Sequence, residues 1–366
     1  MCGAGGPDRR RCGRATCCRE DEAIAGEIDY WTFFAQDAAR TGSVLYARLS
    51  AGIGGDAGLK ALAAQARAGQ PHANLLLGAV HFLILRGARD PLTRFYPTAG
   101  GTASAEHEDP FPEFEAFVER HRDAIAPLIA TRVTNTNEVG RSAILHPGFR
   151  AAAQQAAVPL SLIEIGPSAG LNLIWDRYGV RYRRDGGTAA SVNASAPLVI
   201  DCELRGDKIP PVGPTPQIGG RVGLELNPVD LSEADDRDWL RALIWPDQAS
   251  RLARLDRAIA LFAREAPPIL AGDALELLPD ALAAVPREHA PVVYHTIAVY
   301  QFSREMRDAL EGILTVAGLR RPVWRLSFEY DGALYTLSLI RYADGVREEA
   351  VLANCHPHGT WLEWLA

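Results

Sequence analysis

The spacing of hydrophobic residues changes near residue 158. In the first part of the chain, apolar residues recur at helical spacing, which predicts helices over 28–39, 74–85 and 111–129. The stretch 97–110 is acidic and rich in Gly, Thr and Ser, which predicts a loop. No convincing strand-like alternation occurs in this part. We therefore predict a helical cap or substrate domain over residues 21–150.

After residue 158, short apolar runs alternate with helical stretches. Strands joined by crossover helices form a parallel sheet with helices on both faces, and near-continuous apolar strands fit burial on both faces. The pattern therefore predicts an α/β fold with a mostly parallel sheet. The predicted strands are 158–165, 221–226, 267–273, 291–296 and 322–330, and the predicted helices are 171–178, 236–244, 249–264, 274–284 and 303–317.

Two stretches depart from this alternation. Residues 179–219 are too long for a simple helix-to-strand connection, and their Pro- and Gly-rich composition with possible hairpins predicts an inserted lobe. Near the C-terminus, Asp331-Gly332 and Ala343-Asp344-Gly345 each lie between two apolar runs, which is typical of hairpin turns. The sheet is therefore predicted to end in antiparallel strands over 322–330, 333–341 and 347–354.

Composition and charge restrict the classes of function. The chain has 366 residues, enough for two domains, and its 48% hydrophobic and 23% charged residues are ordinary for a globular protein. A formal net charge of -7 argues against general nucleic-acid binding, which needs a basic face. No apolar run of about 18 residues is present, and the N-terminus lacks the apolar core of a secretory signal. We therefore expect no membrane span.

The cysteines are unevenly distributed. Those of the N-terminal tail have neither the spacing of a CxxC zinc site nor a nearby histidine, so we favour a disordered tail over 1–20 rather than a small zinc knot. Cys202 and Cys355 lie far apart in sequence and indicate no disulfide framework, which predicts a cytoplasmic location. The tail cysteines are Cys2, Cys12, Cys17 and Cys18.

The strongest chemical signal is the stretch Glu164-Ile165-Gly166-Pro167-Ser168-Ala169-Gly170, between a buried strand and a helix. Glycines let the backbone approach a ligand closely, and the free N–H groups of a helix start suit a polar or anionic ligand. Two acidic residues end the next strands. Glu225 could accept ribose hydroxyls or face solvent. Asp273 could bind a ligand or cap helix 274–284.

In this order, the three signals resemble the class I S-adenosylmethionine (SAM) dependent methyltransferases over about 158–330. The resemblance implies a Rossmann-like, SAM-binding domain over 151–366. Ser168 departs from the middle glycine of the family's triad, whereas an acid two residues before the first glycine favours SAM over a dinucleotide. The resemblance places Glu164, Gly166, Ser168 and Gly170 at the methionine end of the cofactor, Glu225 at the ribose and Asp273 at the adenine.

Further polar residues are candidates for the substrate side of this site. His295 ends the fourth predicted strand, where reacting groups of such folds lie, and is a candidate general base; a buried structural histidine is the alternative. The polar run 134–141 suggests a substrate pocket beside the helical part. The alternative is a solvated helix start with a surface ion pair. The candidate substrate-binding residues are Asn135, Asn137, Glu138 and Arg141.

The C-terminus contains a weaker metal signal. Cys355, His356 and His358 are potential ligands, but the sequence identifies no fourth one. We therefore favour a turn followed by two packed tryptophans, Trp361 and Trp364, and predict no metal site.

Long stretches of the chain are similar to the uncharacterised bacterial domain of unknown function 2332 family. They include NLLLGAVHFLILRG, TRVTNTNEVGRSAIL and CHPHGTWLEW, and together they cover most of residues 30–366. This similarity implies membership of the family, and it implies no activity.

These patterns together predict a SAM-dependent methyltransferase that acts on a small molecule between the helical part and the sheet. Two alternatives stay open. The irregular glycine triad favours a non-catalytic relative that binds a nucleoside-like ligand or a partner. An NAD-type oxidoreductase predicts a G-x-G-x-x-G turn, which residues 166–170 lack.

Overall fold

A computed structural model describes residues 29–366, so the predicted tail over 1–20 and its four cysteines lie outside the described residues. Helices come first along the described chain, and every strand follows them. The helices before the sheet are α1 (Tyr30–Arg40), α2 (Val44–Gly55), α3 (Ala57–Ala63), α4 (His72–Leu85), α5 (Phe111–Arg120), α6 (Arg122–Thr131) and α7 (Ser142–Ala156). Short 3-10 helices lie at Pro91–Phe95, Pro97–Ala99 and Val139–Arg141.

The remaining elements alternate strands with helices and then end in consecutive strands. The strands are β1 (Leu160–Ile165), β2 (Gly179–Arg184), β3 (Gly187–Val192), β4 (Val199–Arg205), β5 (Ile218–Glu225), β6 (Ile269–Ala271), β7 (Ala290–Thr296), β8 (Val323–Tyr330), β9 (Tyr335–Ala343), β10 (Val346–Cys355) and β11 (Trp361–Trp364). The helices between them are α8 (Ala234–Ala242), α9 (Ala249–Phe262), α10 (Ala274–Ala283) and α11 (Arg304–Gly318), with 3-10 helices at Leu171–Arg177 and Val299–Gln301.

All these strands form one large, mostly parallel sheet in a mixed α/β structure. Its order is β3-β2-β4-β11-β10-β9-β8-β7-β1-β5-β6. The neighbouring strands β8, β7, β1, β5 and β6 run parallel, whereas β8, β9, β10 and β11 pair antiparallel. From β1 the chain crosses to β5 on one side and later to β7 on the other. The strand order therefore reverses between β1 and β7, which is the position where open α/β sheets bind their ligands at the carboxyl ends of the strands.

Burial on both faces explains why the central strands are apolar at successive positions. In β1, Leu162 belongs to the hydrophobic cluster that also contains residues of α7 and α9, whereas Ile163 and Ile165 belong to the cluster formed with α10 and α11. Successive side chains of a strand point to opposite faces, so each cluster covers one face of the sheet. On the first face α7 packs closely, because Gly148 leaves room for the side chain of Leu326.

The N-terminal helices bury a separate set of apolar side chains, which includes Leu49, Leu76 and Phe114. Helix α8, which lies between β5 and β6 in sequence, adds Trp239 to this cluster, and Leu243 directly after the helix also belongs to it. The N-terminal helices therefore pack against a crossover connection of the sheet, next to the carboxyl ends of its parallel strands.

The structure differs from the sequence-based element predictions in several places, and α2, α3, α7 and β11 were not predicted as separate elements. The predicted helix 111–129 is two helices, because His121 has a non-helical backbone (φ -111°, ψ 15°). Residues 179–219, predicted as an inserted lobe, contribute β2, β3 and β4 to the same sheet, where β4 pairs with β11. The predicted helix 171–178 is a 3-10 helix. None of the helices among residues 29–366 has the length and apolar character needed to cross a membrane.

Buried histidines give the stability of this fold an expected pH dependence. Burial lowers the pKa of His81 to about 4, although hydrogen bonds to backbone carbonyls oppose that shift. His81 joins α4 to α8, since its Nδ1 contacts the carbonyl oxygen of Ala242 at 2.9 Å. The unfolded chain binds a proton at this group near pH 6.5, so it holds more protons than the folded chain between pH 6.5 and 4. Stability is therefore lost as the pH falls through this window.

We expect the His81→Gln variant to lose less of its free energy of unfolding between pH 7 and pH 4 than the wild type loses. The difference should be on the order of 2–3 kcal/mol. Urea denaturation at several pH values measures it. The exposed His107 provides a matched His107→Gln control, which should retain the wild-type slope. Equal slopes in all three proteins would contradict the prediction.

Candidate functional site

The turn after β1 has an unusual backbone. Gly166, Ser168 and Gly170 all have left-handed conformations, with φ values of 68°, 56° and 81°. Glycine adopts this conformation without strain, but serine does so only where its surroundings hold it. The 3-10 helix Leu171–Arg177 begins directly after this glycine turn. The predicted glycine-rich stretch therefore is a strained strand-to-helix connection at the carboxyl end of β1.

Glu225 holds the glycine turn in place. Its Oε2 accepts the backbone N–H of Ser168 at 2.8 Å, and its Oε1 accepts that of Asn227 at 3.0 Å. Glu225 is only 8% exposed, so its side chain does not face solvent, which was the alternative considered for it. Each carboxylate oxygen has two lone pairs, so each can accept one more hydrogen bond. Glu225 thus joins the end of β5 to the turn after β1.

Glu164 lies in the interior, below the glycine turn. Its Oε2 accepts the hydroxyl proton of Tyr294 at 2.8 Å, and that hydroxyl is also 3.2 Å from the carbonyl oxygen of Asn172. Burial and, to a smaller extent, the nearby charge of Glu225 raise the pKa of Glu164 to about 8, although the Tyr294 hydrogen bond and Arg141 lower it. At pH 7 this carboxyl group is therefore mostly protonated.

Asp273 lies beside the end of β5. The backbone N–H of Gly272 donates to the carbonyl oxygen of Glu225 at 2.9 Å, which joins the ends of β6 and β5. The Asp273 side chain accepts the N–H of Leu275 at 2.8 Å and so caps α10. Of the two roles considered for Asp273, ligand binding and helix capping, its contact in the structure is that of a helix cap. Glu164, Glu225 and Asp273 lie at or just beyond the carboxyl ends of three adjacent parallel strands.

The polar segment, residues 133–141, lies over the glycine turn. The side-chain amide of Asn135 donates to the carbonyl oxygen of Asn227 at 2.8 Å, and the Ser168 hydroxyl is 3.3 Å from the carbonyl oxygen of Asn135. The Asn137 side chain accepts the backbone N–H of Leu171 at 2.8 Å. The predicted substrate-binding asparagines therefore meet the predicted cofactor-binding turn directly.

Glu138 and Arg141 do not form the surface ion pair with each other that was the alternative to a substrate-binding role. Glu138 is 6% exposed and pairs with Arg251 and Arg254 of α9, at 2.5 and 3.2 Å. Burial alone would raise the pKa of Glu138, but Arg251, His358 and Arg254 lower it well below its usual range. Arg141 donates to the carbonyl oxygens of Thr296 and Pro357, at 2.7 and 2.9 Å.

The sequence patterns did not single out Arg251 and Arg254, and they indicated His358 only as a potential metal ligand. The only signal for the two arginines is their spacing, since residues three apart share one side of a helix, here the side next to Leu252 and Leu255. His358 belongs to the C-terminal turn, which approaches the polar segment so closely that a Cβ atom on Gly359 would lie 2.0 Å from the carbonyl oxygen of Gly140. Among the described residues, no group of three or more His, Cys, Asp and Glu could hold a metal ion.

His295 is fully buried in a closed network. Its Nδ1 lies 2.6 Å from Oε1 of Glu329, and its Nε2 accepts from Nε of Arg325 at 2.9 Å. Burial lowers the pKa of His295, and so does Arg325, whereas Glu329 raises it. Both ring nitrogens are therefore engaged, and the geometry does not favour the predicted role as a general base. In the alternating pattern of β7, His295 lies on the opposite face from Tyr294.

The glycine turn also fits the G-x-S-x-G pattern of serine hydrolases, with Ser168 at the nucleophile position. A nucleophilic serine needs a histidine within hydrogen-bonding distance to take its proton. The Ser168 hydroxyl instead faces the carbonyl oxygen of Asn135, and no histidine of the described chain hydrogen-bonds to it. The residues that activate a serine nucleophile are therefore not assembled here.

Comparison with known families identifies the chain. Residues 29–364 match the family described as "Uncharacterized protein conserved in bacteria (DUF2332)", and the chain belongs to this family. Neither the curated proteins nor the solved structures provide a match to the chain.

The contacts of Glu225 predict a specific loss of stability. In Glu225→Gln, the new NH2 group faces one of the two backbone N–H groups that the carboxylate accepts, so one buried donor loses its partner. We expect the free energy of unfolding to fall by about 1–3 kcal/mol. Urea denaturation of this variant and of Glu203→Gln, an exposed position on β4, provides the comparison. An equal effect at the two positions would show that Glu225 does not hold the turn.

Proposed function

We propose that this member of the family is a SAM-dependent methyltransferase acting on a small molecule bound between the N-terminal helices and the sheet. One observation carries the proposal. Glu164, Glu225 and Asp273 lie at or just beyond the carboxyl ends of three adjacent parallel strands. Glu225 also contacts the glycine turn, and Glu164 lies two residues before the first glycine of that turn. Such a set of acceptors at strand ends suits the hydroxyl and amino groups of an adenosine and the cationic amino group of a methionine.

The strand order supports a Rossmann-like classification of the core. Numbered by their place in the chain, the five parallel strands β6-β5-β1-β7-β8 have the order 3-2-1-4-5, which is the order of dinucleotide-binding sheets over these positions. In open sheets of this kind, ligands bind where the order reverses, here between β1 and β7. The separate apolar cluster of the N-terminal helices supports a helical domain over 21–150 beside that position.

The residues present fit the proposed cofactor. Both oxygens of Glu225 keep an acceptor site for ribose hydroxyls after binding the backbone. Leu226 follows it with 69% of its surface exposed, an apolar area suited to the flat face of an adenine. Asp273 lies half-buried one strand further. When bound, SAM supplies an activated methyl group on a sulfonium. The protein then needs mainly to orient the substrate toward that methyl group and to exclude water.

The proposal gives the chain's own residues limited roles. Glu225 binds the ribose and Asp273 binds the adenine. The glycine turn and Glu164 lie at the methionine end. The polar segment covers the site from the side of the N-terminal helices. No proton transfer is assigned to His295, because Arg325 and Glu329 occupy both of its ring nitrogens.

That engagement of His295 favours a second candidate function, in which the chain binds a nucleoside-like ligand or a partner without chemistry. Incubation of the purified protein with a bacterial extract and methyl-labelled SAM distinguishes the two. Transfer of label to any extract component, absent when Glu225→Ala replaces the wild type, would exclude the second candidate. An NAD-type oxidoreductase remains the least supported, since the turn lacks G-x-G-x-x-G, and it predicts a change in NADH fluorescence on mixing.

The binding roles can be separated from the helix-capping role. In Asp273→Ser, the serine can still cap α10, so stability should change by only a few tenths of a kcal/mol. The shorter side chain cannot reach an adenine amino group, and we expect the affinity for SAM to fall by about tenfold or more. Calorimetric titration with SAM measures the affinity, and thermal unfolding measures the stability.

Asp280→Ser is the matched control, because Asp280 is exposed on the same helix. It should bind SAM as the wild type does. The proposal fails if the wild type shows no saturable SAM binding at micromolar to low millimolar concentrations. It also fails if the variants at 273 and 280 bind SAM equally well.

The raised pKa of Glu164 predicts a proton release. A cationic group bound nearby favours the ionised carboxylate and lowers its pKa. Since the free protein has a pKa of about 8 at this group, SAM binding at pH 7 should release protons, up to about one per ligand. Titrations in buffers of different ionisation enthalpy count the released protons. Glu164→Gln should release almost none, Glu203→Gln should match the wild type, and equal release by all three would contradict the assignment.

A further inference from the structure

A cluster of positive charge adjoins the glycine turn. Arg251 and Arg254 extend from α9 to the carboxylate of Glu138, and Arg141 lies within the same polar segment. The Nδ1 atom of His358 is 3.4 Å from Glu138 Oε2. We call these three arginines with Glu138 the arginine cluster. The backbone carbonyl of Glu138 accepts from Asn172 in the 3-10 helix that follows the glycine turn, so the cluster borders the proposed site.

The charges of the arginine cluster do not balance. Among residues 29–366, Glu138 is the only acidic partner within ion-pair distance of Arg251 and Arg254, and Arg141 contacts backbone carbonyls rather than a carboxylate. Two guanidinium groups therefore share one carboxylate, and a third lies nearby without an ion-pair partner of its own in this part of the chain. Arginine side chains remain charged in proteins, so the cluster keeps an excess of positive charge at any physiological pH.

These positive charges are largely removed from water. The side chains of Arg251 and Arg254 are 21% and 20% exposed, and Nε of Arg251 is buried without a hydrogen-bond partner. Leu240, Leu243 and Ile244 line the same narrow cavity, whose volume is about 20 Å³, so a ligand would reach the arginines with one charged group rather than as a whole. An apolar surrounding strengthens the attraction between a guanidinium and an anion, and guanidinium groups bind carboxylates and phosphates through paired hydrogen bonds.

We propose that Arg251 and Arg254 bind an oxyanion, a carboxylate or phosphate group, of the molecule that this site recognises. Its identity as the methyl-accepting substrate rests on the proposed function; the oxyanion site itself does not. The substrate class is then a small anionic molecule, oriented with its charged end in the arginine cluster and its reacting end toward the glycine turn. Glu138 already binds both guanidinium groups, so its carboxylate competes with the oxyanion of the ligand for them.

The competing explanation is that the arginine cluster only joins α9 to the polar segment and binds no ligand. The direction in which two substitutions change the oxyanion affinity separates the two explanations. Arg254→Gln removes a donor from the ligand, so oxyanion affinity should fall by about tenfold or more. Glu138→Gln removes the internal competitor, so oxyanion affinity should rise even though the variant is less stable. If the arginine cluster binds no ligand, neither substitution produces a saturable response to an oxyanion.

The experiment titrates the full-length protein with inorganic phosphate and, in a second arm, with acetate, while sodium chloride keeps the ionic strength constant. Thermal unfolding and calorimetry follow binding. Arg257→Gln is the matched control, because Arg257 is an exposed arginine on the same helix. The arms distinguish the two oxyanions, since a stronger response to phosphate indicates a phosphorylated ligand and a stronger response to acetate indicates a carboxylate.

Saturable binding that weakens in Arg254→Gln, strengthens in Glu138→Gln and is unchanged in Arg257→Gln supports the site. If the wild type shows no saturable response, or if the Arg254 and Arg257 variants respond alike, the inference is overturned. SAM titrations of the same preparations keep the two proposals separate. Oxyanion binding without SAM binding removes the methyltransferase alone, and SAM binding without oxyanion binding removes the oxyanion site alone.

Discussion

The carboxylate of Glu225 is the interaction on which the arrangement of the site depends. It accepts two backbone N–H groups, one from the turn after β1 and one from the loop that follows its own strand. The first of these belongs to Ser168, whose left-handed backbone costs about 1–2 kcal/mol for a residue other than glycine. A hydrogen bond to a charged group contributes about 1.5–3 kcal/mol and can offset that strain. The conformation of the glycine turn and the pairing of β1 with β5 are therefore not independent.

The polar segment connects parts of the chain that are distant in sequence. On one side its asparagines bind the glycine turn and the loop after β5. On the other side Gly140 and Gly359 bring two backbones into contact at a distance that no larger residue would permit. Trp239 of α8 donates to the carbonyl oxygen of Val133 and fixes the start of the segment. The N-terminal helices, the crossover helices and the C-terminus consequently meet at one place, beside the strand ends.

Local patterns predicted most of the elements, because burial on two faces produces continuous apolar strands and burial on one face produces helical spacing. They could not predict that β4 pairs with β11, since that contact joins residues more than 150 positions apart and leaves no local trace. The acidic residues at the strand ends were predicted for the same reason, because they follow apolar runs in the sequence. The ion pairs of Glu138 and the hydrogen-bond network of His295 were not predicted, because they depend on tertiary packing. The position of His295 at a strand end was predicted, but the face on which it lies required the register of β7.

Two buried glutamates show how the surroundings decide the chemistry of this edge. Glu138 faces two guanidinium groups and stays ionised, whereas Glu164 is buried without a cationic partner among the described residues, lies near the like charge of Glu225 and holds its proton near pH 7. This edge of the sheet thus has a surplus of positive charge around Glu138 and a neutral acid, which can ionise, at Glu164. A cationic group gains most beside Glu164 and an anionic group gains most beside Arg254. If the two proposals hold, this opposition fixes the relative orientation of a cationic cofactor and an anionic substrate without any further contact.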